Sequence, residues 1–410
     1  MSHSRVVLAF LLSAAPPLAA QDWPQWRGPA RDGLVAGLGA PRASWPQALQ
    51  KGWSVAVGEG HASPLVAGDR VYVFARQGDQ EILSALEAAT GKIAWRQAGP
   101  APYTVNPAAA GHGKGPKATP TLAQGRIFTL GISGILSGVD AATGKLLWRL
   151  PLNDRFPETS PAFGAANSPV VDAERVIVFV GGAKGGALAA FDAKTGKALW
   201  SWKDDGPAYA SPIVAEIAGV RQVVTQSQSF VVGVAAETGA LLWKIPLTTA
   251  YEQNSVTPIV RGDVVFYSGL DKGLHAARIV KKDAGFASER VWDNDEVAGY
   301  MSTPILVGDV LYGHSHKKKG QFFAVDARTG KTLWLSEGRQ GDNAALVSAQ
   351  GALLMLTTES TLLVAKPDPA AFSVVRSYTV ADTPTWAHPA PSGNRLFIKD
   401  KETLTLWKIE

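Results

Sequence analysis

Along most of this chain apolar positions recur every second residue, in short runs bounded by Gly, Asp and Pro. That is the pattern of strands and turns. The segment SPVVDAERVIVFVGGAKGGALAAFDAKTGKALW, residues 168–200, carries one whole unit. A Ser-Pro step leads a short apolar strand and a polar turn. A second strand, a Gly-rich turn and a third strand follow, and the turn DAKTGK leads into a fourth strand carrying Trp200. Each unit is expected to be a four-stranded antiparallel meander, and no stretch shows a sustained helical period.

The closing phrase is repeated: EAATGKIAW from Glu87, DAATGKLLW from Asp140, DAKTGKALW from Asp192, AAETGALLW from Ala235 and DARTGKTLW from Asp326. An acidic residue at the head of the turn can accept backbone N–H groups across it, and Gly takes the positive φ that other residues resist. A flat indole at one fixed place on an outer strand can wedge against the neighbouring unit. Trp95, Trp148, Trp200, Trp243 and Trp334, with Trp292 in a degenerate copy, are therefore expected to be structural docking residues.

Ser/Thr-Pro steps at Pro64, Pro120, Pro169, Pro212, Pro258 and Pro304 mark six unit starts, 43 to 56 residues apart. A seventh start, at Ala344, lacks the proline, and an eighth begins at His388 but ends after about three strands. GWSVAVGEG, residues 52–60, is a lone strand with nothing before it to pair with. Joining the two ends closes a ring. The expected fold is all-β, an eight-bladed β-propeller in which the N- and C-terminal strands share the last blade.

Of the 410 residues, 46% are aliphatic or aromatic and 18% are charged, ample for a core. The net charge of +5 is spread along the chain, which speaks against a nucleic-acid partner. Lys317, Lys318 and Lys319 fall at an expected hairpin tip, solvated or touching an anion. Residues 1–20 read as a signal peptide: Arg5, then a short apolar run, then small residues. Residues 21–51 form an N-terminal arm and 52–410 the propeller. No run is long enough for a membrane helix. The absence of cysteine excludes disulfides, thiol chemistry and a lipid-modified N-terminal cysteine. A periplasmic or secreted monomer is expected.

The phrase A-x-D-A-x-T-G-K-x-x-W resembles the tryptophan-docking repeat of the pyrroloquinoline-quinone (PQQ)-like propellers, over roughly residues 53–409. DWPQWRGPARDG, residues 22–33, resembles the leader segment of exported bacterial members, with Trp23 and Trp26 packing against the ring. Two branches set the alternatives. One is the non-catalytic BamB-type propeller of outer-membrane assembly, which binds a cell-envelope protein partner. The other is the quinoprotein dehydrogenases, which would imply PQQ with Ca²⁺ and alcohol or sugar oxidation. The second branch carries a vicinal disulfide and an acidic set that this chain lacks, so a binding scaffold without cofactor is the expected function.

Residues just before each unit start should gather at one mouth. They are His61; His112, Lys114 and Lys117 in the Gly-rich insert GHGKGPKATP; Phe163 and Asn167; Tyr209; Glu252, Gln253 and Asn254; Tyr300; Asn343; and Trp386 with His388. Polar and aromatic groups converging there suit a peptide or small ligand. Tyr209, Tyr300 and Trp386 also leave carbohydrate binding open. The insert is either an anion cradle or a mobile loop. Glu252 with Asn254 is the nearest echo of a carboxylate–amide calcium pair. His314 and His316 stand two apart on a strand, and no metal site is assigned to them. Motifs of P-loop, zincin and hydrolase chemistry are absent.

Overall fold

The computed structural model describes residues 22–35, 44–152, 155–156, 158–182, 184–283 and 285–410. The expected signal peptide lies outside the described residues. The chain folds as an eight-bladed β-propeller, and each blade is a four-stranded antiparallel sheet. Blades 1 to 7 span residues 65–100, 121–150, 170–202, 213–246, 259–294, 305–335 and 344–379. Blade 8 is built from strands at both ends of the ring. Gln50–Ala56 pairs with Thr403–Lys408, which continues into Arg395–Lys399 and Ala390–Ser392. The only helical pieces among the described residues are short 3-10 turns at Pro107–His112, Ala250–Glu252 and Lys317–Lys319.

The core is divided into layers between blades. Leu65, Phe74 and Leu83 of blade 1 pack with Ile127 and Val139 of blade 2, and similar clusters join each following pair. The last cluster joins blades 7, 8 and 1 and takes in Trp23 and Trp45 from the arm. Lys399, fully buried in blade 8, donates its ammonium to the carbonyls of Gly60, Asp400 and Lys401 at 2.6, 3.0 and 3.1 Å. The ring closure thus combines a strand pairing, an apolar layer and a polar latch.

The repeated phrase has a defined geometry. Asp140, Asp192 and Asp326 each accept both the N–H and the hydroxyl of the Thr three residues on. The following glycines, 144, 196 and 330, have φ near +70°. A Cβ on Gly144, Gly196, Gly239 or Gly330 would come within 2.4 to 2.9 Å of the indole of Trp95, Trp148, Trp200 or Trp292 from the preceding blade. Three of these indoles also reach forward: Trp148, Trp200 and Trp292 donate to the carbonyls of Ala193, Ala236 and Ala327 at 3.1, 3.2 and 3.0 Å. Trp53 of the closing strand repeats the arrangement against Gly91 and Ala88. Room for each ring comes from a small residue across the strand pair: Ala85, Gly138, Ala190, Gly233, Ala276 and Ala324 face the six tryptophans. Blades 5 and 7 lack the T-G turn, so Trp243 donates to Gln222 of its own blade and Trp334 to the Asp368 carbonyl.

The arm occupies the axis. Trp23 pairs with Val66, and Pro24 accepts from Leu122, on the inner strands of blades 1 and 2. Gly33 and Val35 bond to Ser348 of blade 7. Between them Arg27 reaches the carbonyls of Thr303 and Pro304 at 2.8 and 2.6 Å, and Arg31 those of Ser168 and Pro169 at 2.9 and 2.7 Å. Both guanidinium side chains are buried. Residues 22–35 therefore cross the centre of the ring, bonded to the inner strands of blades 1, 2 and 7 and to the residues leading into those of blades 3 and 6.

Candidate functional site

A Ser or Thr precedes the first strand of most blades, and its backbone N–H donates to the matching hydroxyl of the next blade. The chain runs from His388 to Ser63, Thr119, Ser168, Ser211, Thr257 and Thr303, at 2.8 to 3.1 Å per step. The proline that follows has no N–H and a fixed φ, which suits the entry to an inner strand. These hydroxyl residues line a cavity of about 640 Å³. Trp26, at the turn of the axial arm, lines it as well. The guanidinium carbons of Arg27 and Arg31 lie 5.4 and 5.7 Å from the Trp26 ring centroid.

Nine of the residues expected at the mouth line this cavity: His61, His112, Lys117, Phe163, Tyr209, Gln253, Tyr300, Trp386 and His388. His61 stacks on Trp386 with centroids 5.6 Å apart and planes 5° from parallel, and His112 meets Trp386 edge-on at 4.8 Å. Trp26 meets His388 at 5.5 Å. Across the cavity the Tyr300 hydroxyl donates to Gln253 Oε1 at 2.6 Å, and the Tyr209 hydroxyl accepts from Phe163 N. Lys117 Nζ donates to the Phe163 carbonyl at 2.7 Å.

The remaining expected residues stand elsewhere, for physical reasons. Asn254 is fully buried, and its amide nitrogen is shared among the carbonyls of Ser227, Gln228 and Leu247, so it holds the loop together. Asn167, also buried, accepts from Phe179 N within its own blade. Asn343 is buried, and its carbonyl accepts from Thr358 N. Lys114 and Glu252 are exposed outside the cavity wall. The Gly-rich insert is ordered: Glu59 accepts the Lys114 N–H at 2.7 Å and Pro116 accepts from His61 and Ala62. A carboxylate of the chain itself takes up that backbone donor. His314 packs on Phe322, while His316 bonds Asp271 and the Ala298 carbonyl, so the two imidazoles serve different partners. Trp26 and the hydroxyl belt were not anticipated as site residues. The signal for the belt was present as the Ser or Thr before every proline marker.

Burial sets the charge state of the site. It lowers Lys117 to about 8 and, with help from Arg27, His388 to about 3. His61 lies well below its ordinary value, through burial and then the Lys117 charge, and His112 is lowered for the same two reasons. Burial raises Tyr209 to about 12. The imidazoles are neutral at pH 7, and no Asp or Glu lines the cavity among the described residues. The His–Asp pairs of the chain, His275 with Asp293 and His316 with Asp271, lie outside it.

A family model described as outer membrane protein assembly factor BamB matches residues 45–115 and 83–336, well over half of the chain. The chain belongs to the BamB-type family. Among curated proteins it is similar to the BamB of Shewanella oneidensis, 29% identical over 53% of this chain and 55% of that protein. It is also similar to the quinohemoprotein alcohol dehydrogenase ADH IIB of Pseudomonas putida, 33% identical over 32% of this chain and 20% of that enzyme. The chain thus matches about half the length of its BamB relatives. Two solved structures share the fold. BamB from Moraxella catarrhalis has a TM-score of 0.65 at 15% identity, covering 88% of this chain and 98% of that one. The quinohemoprotein alcohol dehydrogenase of Comamonas testosteroni has a TM-score of 0.66 at 14% identity, covering 95% and 80%.

The fold is common to both branches, so the site has to separate them. A PQQ–Ca²⁺ centre would need carboxylate and amide oxygens converging on the metal and an acidic base beside the quinone. Here Glu252 is exposed, Asn254 is committed to backbone carbonyls, and the wall offers an ammonium, imidazoles and hydroxyls. The donor set of this BamB-family cavity does not fit that centre.

Proposed function

We propose that the protein is a non-catalytic binding scaffold of the cell envelope, and that it engages a partner protein around the mouth of its funnel. The observation that carries this reading is the rim. Tyr251 is 80% exposed and Met301 36% exposed, and both stand at the edge of the cavity. Tyr251 and Glu252 are both held at φ near +57°, a conformation that non-glycine residues adopt at a cost. An exposed aromatic at the mouth of the cavity is the kind of anchor that protein interfaces bury. The names of the relatives point the same way, towards assembly at the outer membrane.

A photo-crosslinking residue at position 251, compared with one at position 143 in a turn of the opposite face, tests the proposal in the native host. Adducts with an envelope protein from position 251 alone are the expected result. Adducts from neither position, or equally from both, would overturn it. Dye-linked alcohol or sugar oxidation on adding PQQ with Ca²⁺, lost in Glu252→Ala, would establish the dehydrogenase instead.

A further inference from the structure

We propose that the floor of the funnel is a metal-free binding site for a small organic carboxylate. The inference goes beyond the scaffold reading, because a ligand at the floor and a partner at the rim are separate events measured separately.

A hydroxyl has one proton to donate and lone pairs to accept with. In Ser63, Thr119, Ser168, Ser211 and Thr303 the oxygen already accepts a backbone N–H from the neighbouring blade. None of these five O–H groups finds an acceptor among the described residues, whereas Thr257 spends its own on the Ser211 carbonyl at 3.3 Å. The belt therefore offers protons at the cavity floor, and it needs an acceptor.

Lys117 lines the same cavity, and its one bond among the described residues is to the Phe163 carbonyl. Arg27 and Arg31 stand behind Trp26 and are bonded to carbonyls and to Gln25, and among the described residues no carboxylate forms an ion pair with either. No ion pair among the described residues involves Lys117, and no carboxylate lines the wall. The acidic groups around it are turned to other work: Glu59 accepts from Lys114 N, Glu252 is exposed at the rim, and Asp32, whose charge acts on Arg27, accepts from Leu34 N. Burying cations without a counter-charge is unfavourable, and an anion entering this space supplies what the chain omits. Burial also lowers Lys117, Arg31 and Arg27 to about 8, 9 and 10, with only the Asp32 charge pulling Arg27 the other way.

A volume of about 640 Å³ suits a molecule rather than a bare ion. The stacked pair His61 and Trp386 on one side, with Phe163 and Tyr209 on another, give flat walls for an organic body. A carboxylate fits the floor because its acceptor oxygens can meet two or more donors at once, and charge-assisted bonds of this kind are the strong ones.

The test is calorimetric titration of the full chain with three probes of one shape: 1-naphthoate, 1-naphthamide and 1-naphthylmethylamine. The carboxylate is expected to bind at least about tenfold tighter than the amide, and the amine weakest. Lys117→Gln should weaken 1-naphthoate about tenfold while leaving the amide unchanged, and Lys117→Arg should restore it. Circular dichroism checks that each variant is folded, and the probe series on the unaltered protein decides the matter if a variant is not. Equal affinity for carboxylate and amide, preference for the amine, or no binding of any probe would overturn the proposal. Displacement of 1-naphthoate by equimolar inorganic phosphate would overturn the carboxylate assignment.

Discussion

Trp148 lies against Gly196 of the next blade: a Cβ at position 196 would sit 2.9 Å from the indole, and the indole N–H donates to the Ala193 carbonyl at 3.1 Å. Gly196 also has a φ of +71°. Gly196→Ala meets both obstacles and should cost about 1–3 kcal/mol. Trp148→Ala, which empties a buried site, should cost about 3–5 kcal/mol. Urea denaturation of both variants checks the ordering; a neutral Gly196→Ala would mean that the joint is looser than its geometry.

Arg27 ties the arm to blade 6 through two buried carbonyls. Arg27→Met leaves both without their donor and should destabilise the ring by at least about 2 kcal/mol. Arg27→Lys should recover only part of this, since an ammonium cannot reproduce the planar fork. Thermal unfolding of the two variants, with hydrogen exchange at Thr303 and Ile305, reports the effect.

The hydroxyl belt gives a comparison within one residue type. Thr119→Val removes the acceptor of the Ser63 N–H and should cost about 1–3 kcal/mol. Thr90→Val, at an exposed turn, should stay within about 0.5 kcal/mol. Chemical denaturation of the pair decides whether the belt is a structural bond system or only a lining.

Two buried groups pull the pH dependence of stability in opposite directions. Burial lowers His314 from 6.5 to about 4, so between these values the unfolded chain binds more protons and stability falls as pH drops. Burial raises Glu81 from 4.5 to about 7, so between these values the folded chain binds more protons and stability falls as pH rises. His314→Gln should lessen the loss between pH 6.5 and 4. Glu81→Gln should lessen the loss between pH 4.5 and 7, by about 2–3 kcal/mol. Urea midpoints at pH 4.5, 6 and 7.5 for both variants test the two signs separately.

Much of the ring could be read before any coordinates. The T-G-K turns, the Ser/Thr-Pro starts and the unpaired strand at 52–60 each follow a local rule, and the rules agree with one another from blade to blade. The site was legible only in outline. Position in the repeat brought His61, Lys117, Tyr209 and Trp386 to one cavity. It could not tell which side chains at those positions turn inward. Asn167 and Asn254 also precede unit starts, but they bond to backbone groups instead, Asn167 to Phe179 N and Asn254 to the Ser227, Gln228 and Leu247 carbonyls. Packing of Trp26 against the ring was expected, but its place in the cavity wall was out of reach, because no repeat relates it to the blades it meets.

The alternation of apolar residues and the turn chemistry are properties of neighbouring residues, so the sequence alone determined the blade, the number of blades and the manner of closure. The threading of residues 22–35 through the axis, the facing of hydroxyls around it and the exclusion of carboxylates from the funnel depend on groups far apart in the chain, such as Arg27 and Thr303. Those relations arise from packing eight separate sheets around one line, and only the tertiary structure decided them.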